Sequence, residues 1–106
     1  MIDIGTDVLP GGVIAVSVAG EIDMATATAL QAALAAAVSR DGAAAIQVDF
    51  SGVTFCDSTG LAVLEGAYAA AAGRSVTLRL VGVQPAVARV LAIVGLLEAL
   101  TGGLPA

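Results

Sequence analysis

The side chains of this chain that could do chemistry crowd into one short run, Cys56-Asp57-Ser58-Thr59-Gly60. A thiol, a carboxylate and two hydroxyls so close together invite a search for a nucleophile and its base. None can be assembled. The sequence contains no histidine, which removes the usual general base and the commonest metal ligand and with them any Ser-His-Asp triad. The Gly-x-Ser-x-Gly elbow of hydrolases is incomplete, because Cys56 stands where its first glycine belongs. The Asp-Ser-Gly or Asp-Thr-Gly of aspartic proteases is absent too, since an extra residue intervenes and no partner copy exists. With no lysine in the chain there is no Walker A loop. Aspartates and glutamates are dispersed, with no metal-ligand cluster beside Cys56. The expectation is a protein without catalytic residues, metal or cofactor. It is not expected to be an enzyme.

The same run is still distinctive by position. From Val48 to Leu61 the sequence passes from a strand through a short loop, Ser51 to Asp57, onto the start of a helix, with Ser58 in its first turn. Unpaired backbone N–H groups and the positive end of the helix dipole both favour an anion there. A phosphoryl group on Ser58 would add about −1.5 to −2 charges without melting its own helix. The plainer account is that Asp57 and Ser58, favoured N-cap residues, simply cap that helix, and the residues alone favour it. Gly60 fits a cap less well. Glycine inside a first turn lowers helix propensity by ~1 kcal/mol, which suggests that another surface comes close.

Hydrophobic periodicity supplies the elements that must hold this run. Met1 to Ile4 and Val13 to Val18 flank Pro10-Gly11-Gly12 and read as a hairpin. Ile14, Val16 and Val18 share one face, and Ala15, Ser17 and Ala19 the other. A helix is expected from about Ala25 to Arg40, with Leu30, Leu34 and Val38 as its apolar stripe, Asp23 or Thr26 as cap and Asp41-Gly42 at its end. Ile46, Val48 and Phe50 alternate as a strand; Leu61, Leu64 and Tyr68 point inward from a second helix closed by Gly73. Val76, Leu78 and Leu80 make the next strand. Pro85 opens a third helix lined by Val87, Val90, Leu91 and Val94 and ended by Gly95. The order β-β-α-β-α-β-α implies parallel pairing with right-handed crossovers. Because the strands alternate rather than run continuously apolar, the predicted fold is α/β, a small mixed sheet with helices mainly on one face.

Composition narrows the role further. A chain of 106 residues is one domain, and an apolar fraction of 58% lets it bury a core. We expect that core at about residues 13–97, with a loose tail over 101–106. The net charge is −5 and the four arginines, Arg40, Arg74, Arg79 and Arg89, are scattered. Neutralising phosphates needs clustered cations, so neither nucleic acid nor an anionic membrane surface is an expected partner. No run is long and apolar enough to span a bilayer, and Asp3 and Asp7 stand where a signal peptide would carry Lys or Arg. A single cysteine suits a reducing compartment. The reading is a soluble cytoplasmic protein.

Three stretches carry a family likeness. Phe55-Cys56-Asp57-Ser58-Thr59-Gly60-Leu61 resembles the Asp-Ser-(Ser/Thr)-Gly-Leu motif of bacterial anti-sigma-factor antagonists, the STAS domain family. Gly20-Glu21-Ile22-Asp23-Met24-Ala25-Thr26-Ala27 is similar to that family's Gly-Glu-(Ile/Leu)-Asp-x-x-(Thr/Ser)-Ala, and Val48 to Val53 resembles its Leu-Asp-Leu-Ser-x-Val strand end. The likeness runs from about Val13 to Leu97. It implies that Ser58 is phosphorylated by an anti-sigma factor that is also an ATP-dependent serine kinase, with Thr59 as a weaker acceptor. By the same resemblance the unphosphorylated form binds that anti-sigma factor and frees the sigma factor, and a metal-dependent serine phosphatase resets the switch. The implied partner-binding residues are Glu21, Asp23, Thr26, Cys56, Asp57, Ser58, Thr59 and Gly60. Cys56 departs from a usually apolar position, and its residue type favours a small buried hydrophobe. Two rivals stand beside this reading: an accessory STAS subunit of an ABC-type membrane transporter, and a nucleotide-binding sensor. A homodimer is left open.

Overall fold

The computed structural model describes residues 1–102. Two strands open the chain, β1 (Ile2–Leu9) and β2 (Val13–Ile22), joined by a 3-10 turn at Pro10–Gly12. Proline presets the entry to that turn, and Gly11 and Gly12 follow at φ of 78° and 77°, a region L side chains avoid. The pairing is antiparallel from Ile2 opposite Gly20 to Leu9 opposite Val13. Both strands outrun the apolar alternation that predicted them, Met1 to Ile4 and Val13 to Val18. Thr6 to Leu9 are exposed, and main-chain hydrogen bonding alone extends a ladder where no side chain is buried.

Next come α1 (Ala27–Ser39), β3 (Ala45–Cys56), α2 (Ser58–Gly73), β4 (Thr77–Val81), α3 (Pro85–Ile93) and α4 (Leu97–Thr101). The sheet order is β1-β2-β3-β4, with β2, β3 and β4 mutually parallel. Register aligns the inward residues in rows across the sheet, Ile14–Ile46–Leu78 and Val16–Val48–Leu80, and all six are buried. Helices cover this face, while Ser17, Gln47 and Asp49 on the other face are exposed. Leu30, Leu34 and Val38 of α1, Leu64 of α2, and Val87 and Leu91 of α3 complete one contiguous core. The fold is the expected small mixed α/β sheet.

Three local expectations are corrected. Ser51 to Asp57 is not a loop: β3 continues to Cys56 by carrying two extra residues against β2, between Asp49 and Gly52 and again between Val53 and Phe55. Each bulge breaks the period of two, so the inward residues step by threes from Phe50 to Val53 to Cys56. Val94 does not line the core; it is 50% exposed at the C-cap of α3, where Gly95 with φ of 79° reverses the chain. The packed region also exceeds residues 13–97. Ile2 and Ile4 pack on the core, and α4, unforeseen, buries Leu100 completely. A helix of barely more than one turn is too short to show a period. In the expected loose tail, Thr101 is the buried last residue of α4, and residues 103–106 lie outside the described residues.

Candidate functional site

The two informative stretches meet where β2 and β3 stop. Glu21 pairs with Phe55 and Ile22 with Cys56, and the Asp57 N–H donates to the Ile22 carbonyl at 3.1 Å. This sets the loop before α1 beside the start of α2. That loop is tied internally. Asp23 Oδ1 accepts from the N–H groups of Ala25 (3.0 Å) and Thr26 (3.1 Å), while Thr26 Oγ1 accepts from the Asp23 N–H at 2.9 Å and donates to the Glu21 carbonyl at 2.8 Å. Thr26 is buried; it braces the loop and offers no surface. Asp23 is half-buried and Glu21 is exposed.

At the start of α2, Asp57 and Ser58 are placed differently. Asp57 is the N-cap, its carboxylate accepting from the N–H groups of Thr59 (2.9 Å) and Gly60 (3.4 Å) and from the Thr59 hydroxyl. The Thr59 hydroxyl, followed by the Gly60 and Thr59 N–H groups, holds this carboxyl below the ordinary carboxylate value of 3.8 against an opposing desolvation. A lowered folded pKa stabilises the fold above the unfolded value and is lost as pH falls through the folded one. At neutral pH Asp57 therefore carries full charge. Thr59 is half-buried with its hydroxyl committed. Ser58, the first residue of α2, is exposed and stands outside the capping network.

One expectation changes as a result. The N–H groups of Thr59 and Gly60 are not waiting for an added anion, because Asp57 already takes them. A phosphoryl group on Ser58 would project outward next to a fixed negative charge.

Gly60 and Cys56 face inward. The close surface suspected at Gly60 is the protein's own core: a Cβ there would lie 2.6 Å from Cys56 Sγ and 2.6 Å from Ile22 Cγ2. Glycine lets α2 seat directly on the ends of β2 and β3. Gly60→Ala overpacks this contact and is expected to cost about 1–3 kcal/mol, read as a lower urea midpoint at unchanged slope. A midpoint equal to that of the wild type would refute the contact.

Cys56 is 5% exposed, and burial followed by the Asp57 charge pushes its thiol up to about 11. At pH 8 iodoacetamide should alkylate it more than about a hundredfold slower than an unperturbed cysteine of pKa ≈ 8.5, and at the ordinary rate in denaturant. Equal rates in both conditions would show that the thiol is open. Among the described residues no three His, Cys, Asp or Glu side chains gather in a metal-holding group.

Sequence reasoning missed two exposed apolar side chains at this end, Met24 at 80% and Phe55 at 49%. Phe55 stands five residues after the inward Phe50, so alternation already turns it outward; reading Ser51 to Asp57 as a loop hid it. A groove of about 400 Å³ lies between α1 and α2, and a depression of about 370 Å³ lies on the open sheet face; neither is lined by Ser58.

Comparison with known proteins agrees with this geometry. The family model described as "Mlab, STAS domain" matches residues 7–102. The chain belongs to the STAS domain family. This STAS domain is 38% identical to an anti-sigma factor antagonist from Mycobacterium paratuberculosis, covering 91% of this chain and 80% of that one with a TM-score of 0.81. The Bacillus cell fate determinant SpoIIAA in the phosphorylated form shares the fold at 19% identity, with 92% and 87% covered and a TM-score of 0.69. A sulfate transporter family protein from Wolinella succinogenes is 25% identical over 91% of this chain and 77% of that one, at a TM-score of 0.75. No curated protein matches in sequence. Among the described residues of this STAS domain, no helix is long and apolar enough to cross a membrane.

Proposed function

We propose that this STAS domain is an anti-anti-sigma factor that acts in the cytoplasm by binding rather than by catalysis. Its unphosphorylated form engages an anti-sigma factor with serine-kinase activity and releases the sigma factor. Phosphorylation at Ser58 ends that engagement, and a serine phosphatase restores it. One observation carries this reading: Ser58 is exposed at the first position of α2 while its neighbours are committed, Asp57 as cap and Thr59 to Asp57. Similarity to an antagonist at 38% identity supports the partner class. The test is incubation with ATP and each purified anti-sigma kinase of the source cell, followed by peptide mass spectrometry. A single phosphate on Ser58, removable by serine phosphatase, is the expected result. A phosphate confined to Thr59, or none with any kinase, would defeat it.

Similarity to a sulfate transporter family protein favours a second reading, a STAS domain serving a membrane transporter, of which an accessory subunit of an ABC-type transporter is one form. That subunit would co-purify stably with an ABC ATPase and be indifferent to phosphatase treatment.

A further inference from the structure

Resting on the proposed binding role, we propose that Phe55 and Met24 are the apolar anchors of the docking face, and that the partner meets them with an apolar cleft edged by cations. The chain has two phenylalanines and one tyrosine. Phe50 is fully buried and Tyr68 half-buried, whereas Phe55 keeps 49% of its surface in water. Exposed aromatic surface is costly to keep in water, and aromatic side chains dominate the energetics of interfaces.

Phe55 is held on a rigid support. It is the penultimate residue of β3, paired with Glu21, and the next residue, Cys56, is locked into the core against Gly60. It faces away from the core, on the side of β3 opposite Phe50, Val53 and Cys56. Met24 is 80% exposed on the loop that the Asp23–Thr26 hydrogen bonds tie down. The backbone beneath both anchors is therefore already ordered, so little main-chain entropy is left to lose on binding. The charged groups at the same end, Glu21, Asp23 and Asp57, are acidic, and the four arginines lie on other parts of the chain, at the ends of α1 and α2, in β4 and in α3. A partner that seats the anchors must set cations around them. A second copy of this acidic end would oppose like charges instead, so a partner of opposite charge is the occupant.

The experiment titrates each purified anti-sigma kinase of the source cell with the unphosphorylated wild-type chain and its variants by surface plasmon resonance. Phe55→Ala is expected to weaken binding at least about thirtyfold, almost entirely through faster dissociation. Met24→Ala should weaken it severalfold, and Phe55→Leu should recover much of the loss. Glu21→Gln should instead slow association and flatten its salt dependence. Ile93→Ala, which trims a residue 79% exposed at the far end of α3, should leave binding unchanged. Thermal melts check that every variant is folded.

Phe55→Ala binding like wild type, while Ser58→Asp still loses affinity, overturns the anchors and leaves the phosphorylation switch standing. Equal losses for Phe55→Ala and Ile93→Ala also overturn them. Wild type failing to bind any of the kinases sinks both proposals together. A wild-type dimer in sedimentation that Phe55→Ala dissolves assigns the face to self-association and overturns the cationic partner.

Discussion

Ser58→Asp should bind the anti-sigma factor roughly thirty- to several-thousand-fold more weakly than the wild-type chain, and Ser58→Ala should bind it constitutively. The range follows from the charge. An interface that closes over the start of α2 must exclude water from the Ser58 hydroxyl, and leaving an unpaired charge there costs on the order of 2–5 kcal/mol. At ~1.4 kcal/mol per decade that is the stated loss of affinity. The tertiary arrangement raises the expectation, because Asp57 has already claimed the Thr59 and Gly60 N–H groups that would otherwise soften the new charge. Asp57 itself is charged at neutral pH and lies next along the chain. A single negative charge from aspartate belongs to the weaker end of the range, and a phosphate with about −1.5 to −2 charges to the stronger. The fold need not change, since the exposed first position of a helix tolerates an anion. Isothermal titration with both variants measures the effect. Equal affinities for Ser58→Asp and Ser58→Ala would remove the electrostatic basis of the switch.

The largest loss of stability is expected at Phe50. Phe50→Ala should destabilise the domain by about 3–5 kcal/mol, the range for truncating a buried aromatic. Phe50 has no exposed surface, and it sits on a strand flanked on both sides, within the first bulge of β3 between Asp49 and Gly52. Removing the ring opens a cavity under the strand that carries Cys56, Asp57 and the start of α2. For a domain of this size each kcal/mol shifts Tm by roughly 4 °C or more, so the melt should fall by well over ten degrees. The contrast with Phe55, half exposed on the same strand, makes the claim sharp. Phe55→Ala should barely move Tm while reducing partner binding, and Phe50→Ala should do the reverse in whatever fraction stays folded. A Phe50→Ala melt within a few degrees of wild type would mean that the bulge is not anchored there.

Much of this was legible in the residues. Alternation at Ile14-Val16-Val18 and Leu78-Leu80, and four-residue spacing at Leu30-Leu34-Val38, report burial that repeats with the local period of a strand or a helix. All of these positions are buried. The motifs around Asp23 and Ser58 carry the family likeness in their residues alone. The strand-to-helix passage also located Ser58, because Asp57 is a strong cap and a helix must begin after it.

Tertiary contact decided the rest. Whether Ser51 to Cys56 is loop or strand depends on β2, which is far away in sequence and pairs through two bulges that no period can encode. Why position 60 is glycine depends on Cys56 and Ile22 meeting beneath it. Thr26 looks like a surface candidate within its motif but is buried, whereas Phe55 and Met24 are exposed. Periodic burial is written locally in the chain. Register, close approach and the choice between inside and outside at a bulge are settled only when distant segments press together.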